Sequence, residues 1–327
     1  MQRLGIDVIR VLQLDSMQDT PFSVSYGAKV AEYFSERGIT VTDSAWKCDL
    51  LVTRFFPWRT RQLKIGLRYG LHRPILVWTD EPRFDTHFQR EISSSPLLRK
   101  VHIMNAHTGD IYLTNFSVFG WAIAEPLAAV IEPILLPRGT RRTIFLATYV
   151  EDVAKRALIR EGRDINLFGI RQDLALKGYN QGLVDIYGQG WPNNIAREAS
   201  RGEGWHERKL QLMSKYSFNI CLENTNIPYY CTEKIWDSIR SRCLPIYFGG
   251  GNRIYEDFPR ESFVDYANFE SPEELIDYLE RMTPEEHMTR LNRCIEVYNN
   301  KCDPAEKWRQ TTMMLDKIIE RVRSIVS

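Results

Sequence analysis

Short apolar runs alternate with turns and amphipathic segments along the whole chain, in a pattern that predicts strands and helices in alternation. One amphipathic segment, VSYGAKVAEYFSERG at 24–38, predicts an early helix that ends at a glycine. Three apolar runs in the first part predict strands. These are VTDSAWKCDLLVTRFFP, RPILVWTDEPRF and VHIMNAHTGDIYLTN. Such alternation is typical of the α/β class.

The same pattern restarts after ILLPRGTRR at 134–142, a basic segment with Pro and Gly that we interpret as an interdomain linker. Strands are expected at 143–150, 164–170 and 183–190, with helices at 151–162 and 171–182 between them. From Ser271 onwards the chain is predicted to be helical, with a Ser or Thr cap before each of two Glu-rich first turns. The predicted domains are therefore 1–138 and 139–300, followed by a helix at 301–327.

Composition excludes several classes of protein. The 327 residues include 43 Lys and Arg against 42 Asp and Glu, so there is no overall basic field for nucleic acid. No apolar run approaches the roughly 20 residues of a membrane-spanning helix. Six cysteines occur without a C-x-x-C pair, which favours free thiols over disulfides and argues against structural zinc. These features predict a cytoplasmic protein, and they leave peripheral membrane contact open.

The segment 216–266 has the layout of an anion-binding site. Apolar residues 218–222 predict a buried strand, and Glu223-Asn224-Thr225-Asn226 then breaks it with residues that suit turns. Thr232-Glu233-Lys234 opens the next helix, where Thr232 is placed to cap the first amides. The helix N-terminus carries partial positive charge, and Lys234 adds a full one.

The same segment resembles the donor-binding core of the α-1,3-fucosyltransferases. The resemblance rests on NICLENT, PYYCTEKIWDSI, LPIYFGG and YEDFPRESFVDYANFESPEELIDYL, in that order and spacing, and it fades outside about 165–279. It implies a GT-B fold, in which two doubly wound Rossmann-like domains face a cleft. The first domain would then bind the acceptor and the second a GDP-sugar, and the last helix would pack back on the first domain.

A departing diphosphate needs positive charge, which many transferases supply through a metal held by Asp-x-Asp. No Asp-x-Asp occurs in this sequence, so we expect no metal and no cofactor. The resemblance implies that Lys234 and Arg171 form the clamp, because a guanidinium can bind two phosphate oxygens at once. The alternatives are an ordinary exposed lysine at a helix start for Lys234 and a surface salt bridge for Arg171.

Five further residues are candidates for donor binding. The resemblance implies that Glu233 accepts the ribose hydroxyls, although a favourable interaction with the helix dipole alone is the alternative. Tyr230 either contacts the donor or is a core tyrosine. Glu223 and Asn224 end the strand on the side of the expected cleft, and Asn224 either contacts the donor or only shapes an Asx turn. Thr232 completes the set.

The base is expected in the first domain, at WTDEPRFD, where acidic residues follow the buried strand PILVW. This segment resembles the one whose Glu serves as base in the family, so Glu81 is the predicted base and Asp80 the second choice. A turn-forming Asp-Glu-Pro without a catalytic role is the alternative.

The resemblance implies an inverting transfer of L-fucose from GDP-fucose to a glycan hydroxyl, forming an α-1,3 linkage to N-acetylglucosamine or glucose. The predicted partners are thus GDP-fucose and an oligosaccharide acceptor. Two alternatives stay open at this point. One is transfer of another GDP-linked sugar on the same scaffold, and the other is a non-catalytic module that binds a nucleotide or a glycan.

Overall fold

The computed structural model describes residues 8–14, 20–93, 95–96, 98–116, 118, 120–140, 142–199 and 202–327. These residues cluster into two compact units. The first contains the described residues up to Leu113 together with Arg309–Ser327, and the second contains those of Thr114–Trp308. The boundaries predicted from the sequence, 138/139 and 300/301, concern the functions of the domains and stay predictions.

The first unit is built on one sheet with strand order β2-β1-β3-β4-β6-β5, in which every pair is parallel except β5 and β6. β3 and β4 are buried along their whole length, as expected of apolar runs in a parallel sheet covered on both faces. The strands are β1 Ile9–Gln13, β2 Ile39–Val41, β3 Leu50–Thr53, β4 Ile75–Thr79, β5 Glu91–Ile92 and β6 Val101–Asn105, and the helices are α1 Ala28–Glu36 and α2 Arg59–Tyr69.

The predicted helix at 24–38 is present but shorter. A 3₁₀ turn, Val24–Tyr26, comes first, and Gly27 then separates it from α1 with φ 94° and ψ 157°. This backbone conformation lies far from the helical region and is accessible to glycine because it has no Cβ. Two helical segments therefore replace the single one that the apolar spacing predicts.

The second unit contains a five-stranded parallel sheet with strand order β10-β7-β11-β12-β13 and a separate antiparallel pair, β8 and β9. The strands are β7 Thr143–Leu146, β8 Ile159–Arg160, β9 Arg163–Asp164, β10 Val184–Tyr187, β11 Phe218–Ile220, β12 Leu244–Tyr247 and β13 Val264–Asp265. The helices are α3 Phe168–Asn180, α4 Trp205–Met213, α5 Glu233–Arg240, α6 Pro272–Arg281 and α7 Pro284–Asn300. The last helix, α8 Pro304–Val326, begins in this unit and belongs to the first unit from Arg309 onwards. The predicted α/β class with parallel sheets is confirmed.

Two predicted elements of the second unit are wrong. The segment 151–162 forms a 3₁₀ turn, Val153–Arg156, followed by β8, and 164–170 is not a strand because α3 begins at Phe168. Positive φ at Glu161 and Gly162 reverses the chain between β8 and β9. The carboxylate of Asp164 then accepts hydrogen bonds from the amides of Leu158 and Asn166 at 2.9 and 3.0 Å, which holds this short hairpin together.

The capped helix starts are confirmed. Ser271 Oγ accepts a hydrogen bond from the amide of Glu274 at 3.2 Å, and Thr283 Oγ1 accepts one from the amide of Glu286 at 3.1 Å. All six cysteines are free thiols, as expected. Within the described part of the chain, no helix is long and apolar enough to cross a membrane.

The C-terminal part of α8 belongs to the first unit and is bonded to other elements of that unit. Tyr33 of α1 donates a hydrogen bond to Asp316 Oδ1 at 2.8 Å. Arg321 donates to the carbonyl of Arg90 at 2.6 Å, and Arg323 donates to that of Arg37 at 2.8 Å. Three side chains of this helix therefore attach it to α1 and to the segment before β5.

Gly178 of α3 packs closely against Val184 of β10 in the five-stranded sheet. A Cβ at this position would overlap Cγ2 of Val184 in β10, and overpacking costs about 1–3 kcal/mol, more than the roughly 1 kcal/mol that alanine gains in a helix. We therefore expect Gly178→Ala to lower the free energy of unfolding by about 1 kcal/mol in urea titrations. On a Val184→Ala background the same change should no longer destabilise.

Gly120→Ala is the matched control, because a Cβ at that position would meet no atom of the described residues within 4 Å. It should change the free energy of unfolding by less than about 0.5 kcal/mol. A Gly178→Ala variant that is as stable as the parent protein would contradict the predicted overlap.

Candidate functional site

The candidate site lies in the second unit, where β11 ends and α5 begins. Backbone hydrogen bonds fix the loop after β11 on one side, since Leu167 donates to the carbonyl of Asn224 at 3.0 Å and Asn226 donates to that of Ile165 at 2.7 Å. On the other side, the Asn226 side chain donates to the carbonyl of Gly250 at 2.6 Å. The loop is therefore held between the start of α3 and the glycine turn after β12.

A buried carboxylate joins the end of β11 to the start of α5. Glu223, 2% exposed, accepts a hydrogen bond from the backbone amide of Thr232 at 2.7 Å. The Thr232 hydroxyl lies 2.8 and 2.9 Å from the two carboxylate oxygens, and Lys234 Nζ lies 3.1 Å from Oε2. Burial raises the pKa of the Glu223 carboxyl, whereas the Lys234 ammonium opposes that rise.

Lys234 is the cation of this cluster. Its Nζ donates to Thr232 Oγ1 at 2.7 Å and lies 3.7 Å from Glu233 Oε1. Burial by itself lowers the pKa of the ammonium, but Glu223 and Glu233 together raise it above its ordinary value. Lys234 is therefore charged at neutral pH, and with 29% of its side chain exposed it remains accessible to a ligand.

Thr232 occupies the N-cap position of α5, but its hydroxyl interacts with Glu223 and Lys234 instead of capping the helix. The predicted capping bond is therefore wrong. The hydroxyl hydrogen is directed to the Glu223 carboxylate, and Oγ1 accepts from the Lys234 ammonium instead of from a backbone amide of the first turn.

Glu233 begins α5 and lies between two lysines. Its Oε1 is 3.7 Å from Lys234 Nζ and 3.7 Å from Lys209 Nζ. Burial raises the pKa of its carboxyl, but the two ammonium groups and hydrogen bonds at the helix start outweigh that effect and lower the pKa to about 2. Glu233 is thus an ionised acceptor, with 26% of its side chain exposed.

Sequence reasoning missed two charged residues beside this cluster, Lys209 of α4 and Asp237 of α5. Lys209 Nζ lies 2.6 Å from Asp237 Oδ2, and Asp237 is fully buried. Asp237 follows Glu233 by four residues and so shares its helix face, which is a signal visible in the sequence. The contribution of α4 has no such signal, because it depends on tertiary packing.

Arg171, in the first turns of α3, is buried rather than exposed at the surface. Its guanidinium donates to the carbonyl of Leu222 at 3.5 Å and stacks on Phe168, with 4.4 Å from Cζ to the ring centroid. It therefore reaches the residue just before Glu223. Tyr230 is also buried, as expected of a core tyrosine, and its carbonyl accepts a hydrogen bond from Tyr247 at 3.3 Å.

The glycine turn after β12 packs closely on β13. The amide of Gly249 donates to Asp265 Oδ1 at 2.8 Å, and a Cβ at Gly249 would lie 2.6 Å from Asp265 Oδ2. Tyr255 also donates to that carboxylate, at 2.6 Å. A side chain at position 249 would collide with the Asp265 carboxylate, so this close approach of the turn to β13 requires glycine. The residues that follow β12 are therefore held in place as firmly as those that follow β11.

Asp80 and Glu81 belong to the first unit and follow β4 directly, as predicted. Asp80 Oδ1 lies 3.7 Å from Arg54 Nη2, and its carbonyl accepts a hydrogen bond from Tyr112 at 2.8 Å. The amide of Glu81 donates to Thr79 Oγ1 at 3.2 Å, and its carbonyl accepts from Phe84 at 3.2 Å. Both acids are half-buried in a turn with defined backbone contacts.

Among the residues that the structure describes, no three His, Cys, Asp or Glu side chains are arranged to hold a metal ion. The described part of the site is instead a set of alternating charges around α5. Its members are Glu223, Glu233, Lys234, Lys209 and Asp237.

The lowered pKa of Glu233 predicts a pH-dependent contribution to stability. A carboxyl whose pKa falls from its ordinary 4.5 to about 2 on folding stabilises the protein above pH 4.5, and this stabilisation is lost as the pH falls towards 2. The difference in unfolding free energy between the parent protein and Glu233→Gln should therefore be constant near neutral pH and shrink below about pH 4.5. Urea titrations across that range measure it.

Glu256→Gln is a suitable control, since that carboxylate is half-exposed and pairs with Arg253 on the surface. Its difference from the parent should be small throughout. A Glu233→Gln difference that does not vary with pH would show that Glu233 has no depressed pKa in the folded protein.

Part of the second unit is similar in sequence to known proteins. Residues 171–297 match the family described as Glycosyltransferase family 10 (fucosyltransferase) C-term. Over 73 residues the chain is 41% identical to an alpha-(1,3)-fucosyltransferase, FucT, of Helicobacter pylori. The matched stretch is 22% of this chain and 15% of that protein. Over 103 residues the chain is 34% identical to an alpha-(1,4)-fucosyltransferase of Arabidopsis thaliana, and this stretch is 32% of this chain and 25% of that protein. The chain thus matches a quarter or less of the length of these relatives.

The fold likeness extends further than the sequence likeness. A crystal structure of an alpha1,3-fucosyltransferase superposes with a TM-score of 0.53 and 17% identity, covering 100% of this chain and 92% of that one. This likeness supports the predicted GT-B class at the level of fold. Residues 171–297, which contain Arg171 and the charged cluster around α5, are the part of the chain that is similar to the C-terminal domain of glycosyltransferase family 10 (fucosyltransferase).

Proposed function

We propose that this chain transfers L-fucose from GDP-fucose to a hydroxyl group of a glycan. The observation that carries the proposal is the Lys234 ammonium, which is kept charged and accessible at the N-terminus of α5, inside the segment that matches the fucosyltransferase family. A cation at a helix N-terminus suits a diphosphate, because backbone amides and the helix dipole also favour negative charge there.

In the proposed reaction, Lys234 and Arg171 neutralise the charge that develops on the diphosphate as the bond to the anomeric carbon breaks. The electron pair of that bond leaves with GDP, and fixed cations in a partly buried site stabilise it well. Arg171 lies next to the residue before Glu223, and a guanidinium can bind two phosphate oxygens at once. We propose that these side chains act without a metal or another cofactor.

Glu233 would accept the ribose hydroxyls of the nucleotide. Its pKa of about 2 means that the carboxylate is ionised throughout the physiological range, as a hydrogen-bond acceptor should be. Glu223 would act indirectly by holding Thr232 and Lys234, because its own carboxylate is 2% exposed. We propose that Asn224 and Tyr230 contribute to donor binding through the loop in which they lie and its backbone groups, because the Tyr230 ring itself is buried.

The acceptor hydroxyl must lose a proton as it attacks, and we propose Glu81 as the base, with Asp80 as the second choice. A single attack from the face opposite GDP would invert the anomeric centre and turn the β-linked donor into an α-fucoside. We propose an α-1,3 linkage to N-acetylglucosamine or glucose. The free thiols fit a reducing compartment, so the proposed location is the cytoplasm.

The direct test is incubation with a panel of GDP- and UDP-sugars and simple glycans, followed by mass spectrometry. Preferred transfer or hydrolysis of GDP-fucose supports the proposal. Preference for another GDP-sugar would assign a different donor to the same scaffold, and binding without turnover of any donor would indicate a non-catalytic module.

Replacing the proposed base should separate catalysis from binding. We expect Glu81→Gln to lower turnover at least about a hundredfold, on the usual scale of a general base, while GDP-fucose affinity stays unchanged. Asp80→Asn is the matched variant from the same turn. If Asp80→Asn abolishes turnover and Glu81→Gln does not, the base is Asp80, and normal turnover in both variants would exclude this turn from the mechanism.

Removing the proposed clamp should weaken nucleotide binding. Because Lys234→Ala leaves the Glu223 carboxylate buried without its cation, the change is best made on a Glu223→Gln background. We expect the double variant to bind GDP at least tenfold more weakly than Glu223→Gln alone in calorimetry. Lys155→Ala removes an exposed lysine and serves as the control, and equal GDP affinity in the two Glu223→Gln proteins would contradict the clamp.

A further inference from the structure

One helix of the first unit has an unusual outward face. In α2, Arg59–Tyr69, the buried residues are Gln62 and Ile65, as expected for the side that packs on the sheet. Leu63 and Leu67 are four residues apart and therefore share a different face, where they are 50% and 75% exposed. A helix at the surface of a globular protein normally places polar residues on such a face.

The charged residues of α2 and of the segments directly before and after it are all basic. Between Asp49 and Asp80 the chain has no acidic residue but has Arg or Lys at positions 54, 59, 61, 64, 68 and 73, although the whole protein has a net charge of only +1. Lys64 and Arg68 follow the two exposed leucines in sequence, and both are exposed. The outward face of α2 is therefore an apolar stripe with basic residues along its side.

Aromatic side chains lie at both ends of this face. Trp58 precedes the helix and is 76% exposed. Trp46 is 90% exposed and lines the same groove as Leu67 and Arg68, a groove of about 1070 Å³ that also contains Arg99 and Lys100. Asp49 lines this groove too, and its carboxylate lies 3.9 Å from Arg10. Tryptophan is favoured at the boundary between headgroups and acyl chains because its ring is amphipathic.

We propose that this surface, α2 with Trp46 and Trp58, docks the protein on the face of an anionic lipid bilayer. An amphipathic helix with Lys and Arg beside an apolar stripe lies in the plane of the interface, where leucine and tryptophan enter the acyl boundary and the cations meet lipid phosphates. Charge complementarity selects this occupant. A second copy of the same surface would bring like charges together, and a nucleic acid would leave the leucines without an apolar environment.

Sedimentation with vesicles tests the proposal. We expect binding to phosphatidylcholine vesicles that contain about 30% phosphatidylserine and at least tenfold weaker binding to phosphatidylcholine alone, since each Lys or Arg near an anionic surface strengthens binding about fivefold. Raising the salt concentration to about 0.5 M should weaken the binding further, because it screens exposed charges.

Two pairs of substitutions separate the apolar and the electrostatic contributions. Leu63→Ser/Leu67→Ser and Lys64→Gln/Arg68→Gln should each lower vesicle affinity at least tenfold. The matched controls are Ile131→Ser/Ile159→Ser, which removes two exposed isoleucines, and Lys155→Gln/Lys317→Gln, which removes two exposed cations. Both controls should bind vesicles as the parent protein does.

Several outcomes would overturn the proposal. These are absence of binding to the anionic vesicles, equal losses in the controls, or leucine variants that bind as tightly as the parent. In the last case, equal binding to a short DNA duplex would identify the surface as a site for polyanions in general. Because circular dichroism of each variant reports folding separately, a loss of vesicle binding in a folded variant is assigned to the surface.

Discussion

The second unit depends on how it accommodates one buried carboxylate. Glu223 ends β11 inside the protein, where an ionised carboxyl without partners would cost several kcal/mol. It is stabilised by an amide, a hydroxyl and an ammonium that all come from Thr232 and Lys234. The same three contacts therefore set the position of the start of α5 relative to the strand that precedes it.

That constraint also determines the charge available at the site. Two carboxylates, Glu223 and Glu233, keep Lys234 protonated, and two lysines keep Glu233 ionised. The site thus offers an ammonium and an ionised acceptor side by side, both partly exposed. The proposed donor requires one group for its phosphates and another for its ribose, and these are the proposed roles of Lys234 and Glu233.

Much of this could be predicted from the sequence, because local signals carried it. The apolar runs of β4 and β12, the Ser271 and Thr283 caps and the Glu-Asn-Thr and Thr-Glu-Lys motifs are visible without any structure. The predictions failed where a local pattern was ambiguous. The segment 151–162 has helical composition, yet it forms a 3₁₀ turn followed by β8, and positive φ at Glu161 and Gly162 reverses the chain into β9. Gly27 likewise divides a periodic segment into two helical segments.

By itself, the sequence determined the α/β class, the order of the elements around α5 and the residue types of the site, since these depend on periodicity and on motifs of a few adjacent residues. Only the tertiary structure decided the partners of those residues. Three contacts illustrate this: the hydrogen bond of the Thr232 hydroxyl to Glu223, the contact of the buried Arg171 with Leu222, and the ion pair of Lys209 in α4 with Asp237 in α5. Each joins residues of different elements or of an element and a loop. Such contacts depend on the packing of whole elements, and no local pattern specifies them.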